Sequence, residues 1–224
     1  MSVDFSIVVD RAPELFIGLL ETIEIAVLGA LLAFTVGIVV TLIHFRGGRA
    51  LRVAARIYTM LCLGLPLLVV IYVLFYVLPD FGIVLEPKAV GVAALALYYG
   101  PYFAEVMRAA IEAIPTGQFE AATAVGLPPL RTMRTIVLPQ ALPFMLPSLT
   151  GLLIGLIKDT ALLSIVSVHE FMYFAKEAVS DTYAPLEIYS IVALTYWVLT
   201  TSLAVVTGKT ERRLLAYRTA LVGR

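Results

Sequence analysis

The stretch Pro115-Thr-Gly-Gln-Phe-Glu120-Ala-Ala-Thr-Ala-Val-Gly126-Leu-Pro-Pro-Leu-Arg-Thr-Met-Arg134-Thr-Ile-Val-Leu-Pro139 is an island of polar and small residues between two long apolar segments. Pro115 suits the first turn of a short helix, where a missing N–H breaks no intrahelical bond. Gly126 permits a sharp turn, and Pro128-Pro129 can start a second short helix. On that second helix Leu130, Met133 and Val137 fall at i, i+3 and i+7, while Arg131 and Arg134 point elsewhere. A helix, a glycine elbow and a helix suit docking onto a partner. The residues alone fit an ordinary loop with two helical turns at least as well.

Working outward, the flanks are apolar, and so is most of the chain. Hydrophobic residues make up 61% of the 224 and charged residues 14%, with a mean hydropathy of +0.97. These values belong to an integral membrane protein. The length suits one membrane domain over 1–224. Cys62 is the single cysteine, inside an apolar segment, so an internal disulfide is excluded and small packing is its expected role. Met1 to Pro13 carries acids and no basic run ahead of an apolar core; the expectation is that the first span, not a cleaved leader, targets the chain.

Five apolar stretches approach the ~20 residues that a ~30 Å hydrocarbon layer requires. They cover about 17–43, 57–78, 89–110, 140–158 and 187–207. Strand-like alternation and internal repeats are absent, so the expected fold is all-α with five transmembrane helices. Arg46, Arg49, Arg52 and Arg56 follow the first span, Arg131 and Arg134 separate the third from the fourth, and Lys209, Arg212, Arg213, Arg218 and Arg224 follow the fifth. Five spans put all of them on one side. Asp4, Asp10, Glu14, Asp80, Glu86, Glu170, Glu177, Asp181 and Glu187 fall on the other. The positive-inside rule then places the N-terminus outside and the C-terminus, with the 115–139 loop, in the cytoplasm.

Within the fourth span Pro143, Pro147, Gly151 and Gly155 recur at i+4 and share one face. Such a face allows close helix packing, or frees carbonyls toward a cavity. The span ends in Lys158-Asp159, and charged residues near a bilayer seldom lie there idly. One reading lets Lys158 snorkel outward while Asp159 caps the next segment; the other lets one of the two line a cavity. Glu105 and Arg108, at i and i+3, predict a local ion pair. His44 and His169 lack metal-ligand partners at useful spacing and are read as interfacial, as are Tyr98-Tyr99 and Trp197, with packing the other option. Gly208-Lys209-Thr210 lacks the glycine of a nucleotide loop, because position 203 is Leu.

Glu120-Ala121-Ala122, Gly126 four residues on, and Ile136-Val-Leu138-Pro139 resemble the EAA motif of bacterial ABC-importer permeases. Ala104-Glu105, Arg108, Ile114-Pro115, Gly117-Gln118, Gln140-Ala141 and Leu156-Ile-Lys158-Asp159-Thr160 extend the likeness to the permeases of polar amino-acid importers, over roughly residues 15–210. The resemblance implies that Glu120, Ala121, Ala122, Gly126, Leu127, Leu138 and Pro139 couple to an ATPase. It also implies that Gly64, Pro66, Lys158, Asp159 and Thr160 border the substrate path. The implied partners are two ATP-binding subunits, a second permease (identical or paralogous), an extracytoplasmic solute-binding protein and membrane lipid, with no nucleic acid. ATP-Mg would bind the partner ATPase; no catalytic residue, metal ligand or cofactor is expected in this chain, and the location is the bacterial inner membrane.

The chain also departs from that pattern. Where the family carries an Arg-Gly-Thr-Pro-like segment, it reads Met60-Leu-Cys62-Leu63-Gly64-Leu65-Pro66. Gly151 stands where asparagine is common, and Thr116 where lysine is frequent. These losses suggest that a paralogous permease supplies polar groups. The implied activity is ATP-driven import of a polar or charged amino acid or a similar zwitterion. The alternative is an ion-coupled secondary transporter, which typically shows repeats and paired broken helices not found here. A membrane-embedded enzyme would need a nucleophile–base or metal constellation, and none is visible.

Overall fold

The structure, a computed structural model, describes residues 4–222, with side chains described for 4–210. Arg224 therefore lies outside the described residues, as do the side chains of Arg212, Arg213 and Arg218. The helices are α1 (Ser6–Arg46), α2 (Arg49–Gly64), α3 (Leu67–Tyr72), α4 (Pro87–Glu112), α5 (Thr116–Ala124), α6 (Pro129–Thr132), α7 (Leu138–Asp159), α8 (Phe171–Thr182) and α9 (Pro185–Val222). No strand occurs among the described residues. Four stretches are long and apolar enough to cross a membrane: Ser6–Arg46, Pro87–Glu112, Pro129–Val166 and Pro185–Thr210. A bent pair, Arg49–Gly64 with Leu67–Phe81, makes the fifth.

That pair differs from the single straight span expected over 57–78. Its two halves meet at 111°. Pro66 has no N–H to continue the ladder, and it forces the residue before it out of the helical region. Leu65 accordingly sits at φ −101°, ψ 143°. Prolines explain two further irregularities. Widened π-helical turns occupy Val73–Val77 and Met133–Val137, and each is centred four residues before a proline, Pro79 and Pro139. A proline ring displaces the carbonyl four residues back, and a wider turn accommodates it.

The packing centre is α1 against α4. The buried stripe of α1 is Thr22, Ile25, Ala26, Gly29, Ala33, Gly37 and Thr41, at the three- and four-residue spacing of one helix face. Small residues let the backbones approach, as in other membrane bundles. A Cβ on Gly37 would lie 2.8 Å from the Cβ of Phe103, and one on Gly100 would lie 2.4 Å from Val36 Cγ1. The fourth span divides its glycine–proline face differently. Pro143 is buried and Gly155 approaches the Tyr99 hydroxyl, whereas Pro147 and Gly151 stay exposed.

Contacts between elements define the two ends of the bundle. At one end Arg108 of α4 bonds Glu105 (Nε to Oε2, 3.2 Å), as the spacing predicts, and also Glu112, which lies 3.6 Å from His44 of α1. The 115–139 loop leaves α4 at this end. At the other end Lys88 bridges Glu21 and Glu24, both at 2.8 Å, Arg11 bonds Asp181 at 2.6 Å, and the Asp4 N–H donates to Glu187 at 3.2 Å. The basic and acidic loops are thus gathered at opposite ends, as five spans require.

The acidic end is tied by a residue whose burial was not anticipated. Glu170, with no exposed surface, caps α8 by accepting the Tyr173 N–H at 2.8 Å. It also accepts the hydroxyls of Thr22 on α1 and Tyr196 on α9, both at 3.3 Å. Thr22 in turn accepts the Phe171 N–H at 3.0 Å. Three helices meet on one carboxylate. Burial pushes its pKa above the ordinary glutamate value, against the pull of its hydrogen-bond donors. Glu170→Ala strands these donors and should destabilise the purified protein by roughly 1–3 kcal/mol, the scale for leaving buried polar groups unsatisfied. Because the folded carboxyl holds its proton more tightly than the unfolded one, its proton-linked contribution is greatest below the unfolded pKa. That contribution is lost as pH rises through the folded value. Thermal unfolding of wild type should therefore gain on Glu170→Gln as pH falls from neutrality toward the unfolded pKa; parallel curves would exclude the linkage.

Candidate functional site

The loop forms as its residues suggest. Pro115 precedes the first turn of α5, and the Gln118 N–H closes that turn on the Pro115 carbonyl at 3.0 Å. After Ala124 the chain reverses at Gly126, whose φ of +73° is left-handed. The Leu127 N–H returns to the Ala122 carbonyl at 3.0 Å, closing the elbow. Only Ala122 of the motif alanines is buried; Glu120, Ala121 and Gly126 face outward, and Leu127 is half-buried. The loop is secured to α7 by Gln140 Nε2, which donates to Gln118 Oε1 at 3.3 Å.

One expectation is revised here. The second short helix is not a separate element: α6 runs through the π turn into α7, which carries Leu138 and Pro139 in its first turn. Pro139 widens the helix without ending it. Both Leu138 and Pro139 are exposed.

At the far end of α7 stands Asp159. Its Oδ2 accepts the Tyr99 hydroxyl at 2.8 Å, and its side chain caps nothing in the 3-10 turn that follows, Thr160–Val166. Tyr99 is at the middle of α4, so the carboxylate lies near mid-bundle depth although its own helix ends there. Lys158 is exposed and forms no ion pair among the described residues. Thr160 is fully buried, and its hydroxyl donates to the Ile157 carbonyl at 2.7 Å. The second carboxylate oxygen, Oδ1, accepts no hydrogen bond among the described residues.

Tyrosines surround this point. Tyr98 meets Tyr99 edge-on with ring centres 5.4 Å apart and is tilted against Tyr102 at 5.3 Å, and the Tyr102 hydroxyl donates to that of Tyr98 at 3.3 Å. The broken second span reaches the same level. Tyr58 and Cys62 of α2 donate to the Leu97 carbonyl at 2.5 and 3.5 Å, while α3 packs against α4 and the 3-10 turn after Asp159. Gly64 and Pro66 thus break the helix beside the tyrosine cluster, both exposed. A carboxylate with one free oxygen, next to aromatic faces, can hold an ammonium or guanidinium group.

A family profile described as binding-protein-dependent transport system inner membrane component matches residues 25–216. The chain belongs to that family. A probable amino-acid ABC transporter permease of Sinorhizobium fredii is 35% identical over 84% of this chain and 81% of its own. The arginine transport system permease of Bacillus subtilis is 33% identical over 96% of this chain and 98% of its own. A crystal structure of an amino acid ABC transporter with histidines superposes with a TM-score of 0.88 at 31% identity, covering 95% of this chain and all (100%) of that one.

The chain is therefore a multi-pass inner-membrane permease subunit of an ABC importer, working with ATPase and permease partners, and ATP hydrolysis belongs to a separate subunit. The permease keeps one site residue that its sequence hid. Tyr99, in an apolar run, read as interfacial or packing. The signal available was Gly155, one turn before Asp159, which leaves room for a hydroxyl 3.0 Å from where its Cβ would be.

Proposed function

We propose that this permease, as one transport domain over residues 1–224, moves a polar or charged amino acid or a similar zwitterion into the cell. The observation that carries the reading is Asp159: a half-buried carboxylate near mid-bundle depth, oriented by Tyr99, with one oxygen free. Charge at that depth is costly and marks a transport path by default. Gly64, Pro66, Lys158 and Thr160 border the path. A second permease completes it, and an extracytoplasmic solute-binding protein delivers the substrate. Two ATP-binding subunits dock on Glu120, Ala121, Ala122, Gly126, Leu127, Leu138 and Pro139. They hold ATP-Mg, and this chain holds no cofactor.

ATP-driven closure of the two ATPases shifts a two-state equilibrium by binding one state more tightly than the other. The relatives named for amino acids support the substrate class, and the departures over Met60–Pro66 support a paralogous partner. The test is purification of the native complex and identification of its bound solute by mass spectrometry. A cationic or zwitterionic amino acid, with ATPase and second permease present, is expected. Uptake driven by an ion gradient without ATP would restore the ion-coupled alternative and overturn this reading.

A further inference from the structure

A cavity of about 450 Å³ opens between α1, α7 and α9 and is almost wholly apolar; a more polar one of about 380 Å³ lies between α1, α2 and α4 at the basic end of the bundle. The polar cavity is divided by chemistry. Its mouth holds Arg52 and Arg56 of α2, Arg108 and Glu105 of α4, and His44 of α1. Beside them the exposed lining is aliphatic, at Met60 and Leu63, while Thr41, Thr59 and Ala104 form the buried part. The Arg108 charge is already met by Glu105 and Glu112. Arg52 and Arg56 form no ion pair among the described residues, and both are exposed. They stand at i and i+4 on one helix face, where like charges repel unless an anion lies between them.

We propose that this cavity binds the phosphate headgroup of an anionic phospholipid of the cytoplasmic leaflet, with Arg52 and Arg56 as its ligands. Basic pockets between helices at the cytoplasmic interface take such headgroups. The exposed aliphatic lining decides between a lipid and a soluble anion. Free phosphate would satisfy the two guanidinium groups and leave Met60 and Leu63 uncovered, whereas a lipid brings acyl chains to them. The outer side of α2 suits acyl chains, since Val53, Ile57 and Leu61 are more than half exposed, at 52%, 54% and 56%.

The test uses the intact transporter complex in nanodiscs of phosphatidylcholine mixed with phosphatidylglycerol, read by native mass spectrometry. The wild-type complex should retain phosphatidylglycerol in preference to phosphatidylcholine. The double variant Arg52→Gln/Arg56→Gln should lower that preference roughly 30-fold, the loss of two cationic contacts near a charged surface. Arg52→Lys/Arg56→Lys keeps both charges and should keep most of the preference, which separates a binding effect from misfolding. Arg49→Gln, outside the cavity, should leave it unchanged. Equal retention by wild type and the Gln variant would overturn the proposal. So would displacement of the lipid by millimolar inorganic phosphate, which would assign the site to a soluble anion, or protection of the two arginines by an acidic surface of a partner subunit.

Discussion

Asp159→Asn is expected to lower uptake of a cationic or zwitterionic amino acid by about 10- to 100-fold in proteoliposomes holding the complete transporter. Hydrogen bonds to charged groups contribute about 1.5–3 kcal/mol, and each 1.4 kcal/mol is tenfold. Asn retains the size and one acceptor oxygen, so the Tyr99 hydroxyl still has a partner. What disappears is the charge offered by Oδ1. Assembly and basal ATPase should stay near wild type, because Asp159 caps no helix and its one tie to another element, the Tyr99 hydroxyl of α4, keeps an acceptor in Asn. Tyr99→Phe should have the smaller effect, roughly 2- to 10-fold, since it removes a neutral donor that only aims the carboxylate. Uptake and ATPase measured in the same vesicles distinguish the roles. Unchanged transport in Asp159→Asn would leave this carboxylate a packing residue.

The second large effect belongs to the elbow. At φ +73° with no atom within 4 Å of a Cβ built there, Gly126 is constrained by backbone and not by space. Gly126→Val asks a β-branched residue to hold a left-handed conformation, at a cost of about 1–2 kcal/mol. That is enough to shift the elbow population roughly 5- to 30-fold toward other turns. ATPase stimulation by the loaded binding protein should fall at least in proportion, with the protein still inserted. Gly126→Asn is the control, since Asn tolerates this region. Loss in Val and retention in Asn would locate the effect in backbone conformation. Normal coupling in both would mean that another surface receives the ATPase.

Much of this was legible beforehand, and for identifiable reasons. Gly126 and Pro128-Pro129 act locally, through their own dihedral angles, so the elbow can be read without knowing its surroundings. The basic and acidic loops follow from a bilayer that sorts charge by side. Hydropathy, by contrast, measures side chains and ignores backbone geometry, so Leu65-Pro66 passed as part of one span although the proline bends it by 111°. The same blindness made α6 look separate from α7: Pro139 suggests an end, yet a π turn absorbs it. Tyr99 and Glu170 were hidden for another reason. Their partners lie 60 and 148 positions away, at Asp159 and Thr22, and only the fold brings them together. The close-approach stripe lies on α1, whereas Pro147 and Gly151 of the fourth span are exposed.

The continuity from Pro129 to Asp159 has a mechanical consequence. At 1.5 Å per residue this helix measures about 46 Å, one end beside the Gly126 elbow and the other at the carboxylate beside Tyr99. It behaves as a lever. A tilt of roughly 10° about its foot sweeps the tip by about 8 Å over that length, more than the reach of a hydrogen bond. Motion at the cytoplasmic foot would therefore arrive at Asp159 as displacement, with no chain of side-chain rearrangements between them. The widened turn at Met133–Val137 sits near the foot, where a bend of given angle costs the tip the most displacement, so the stroke depends on that turn staying stiff.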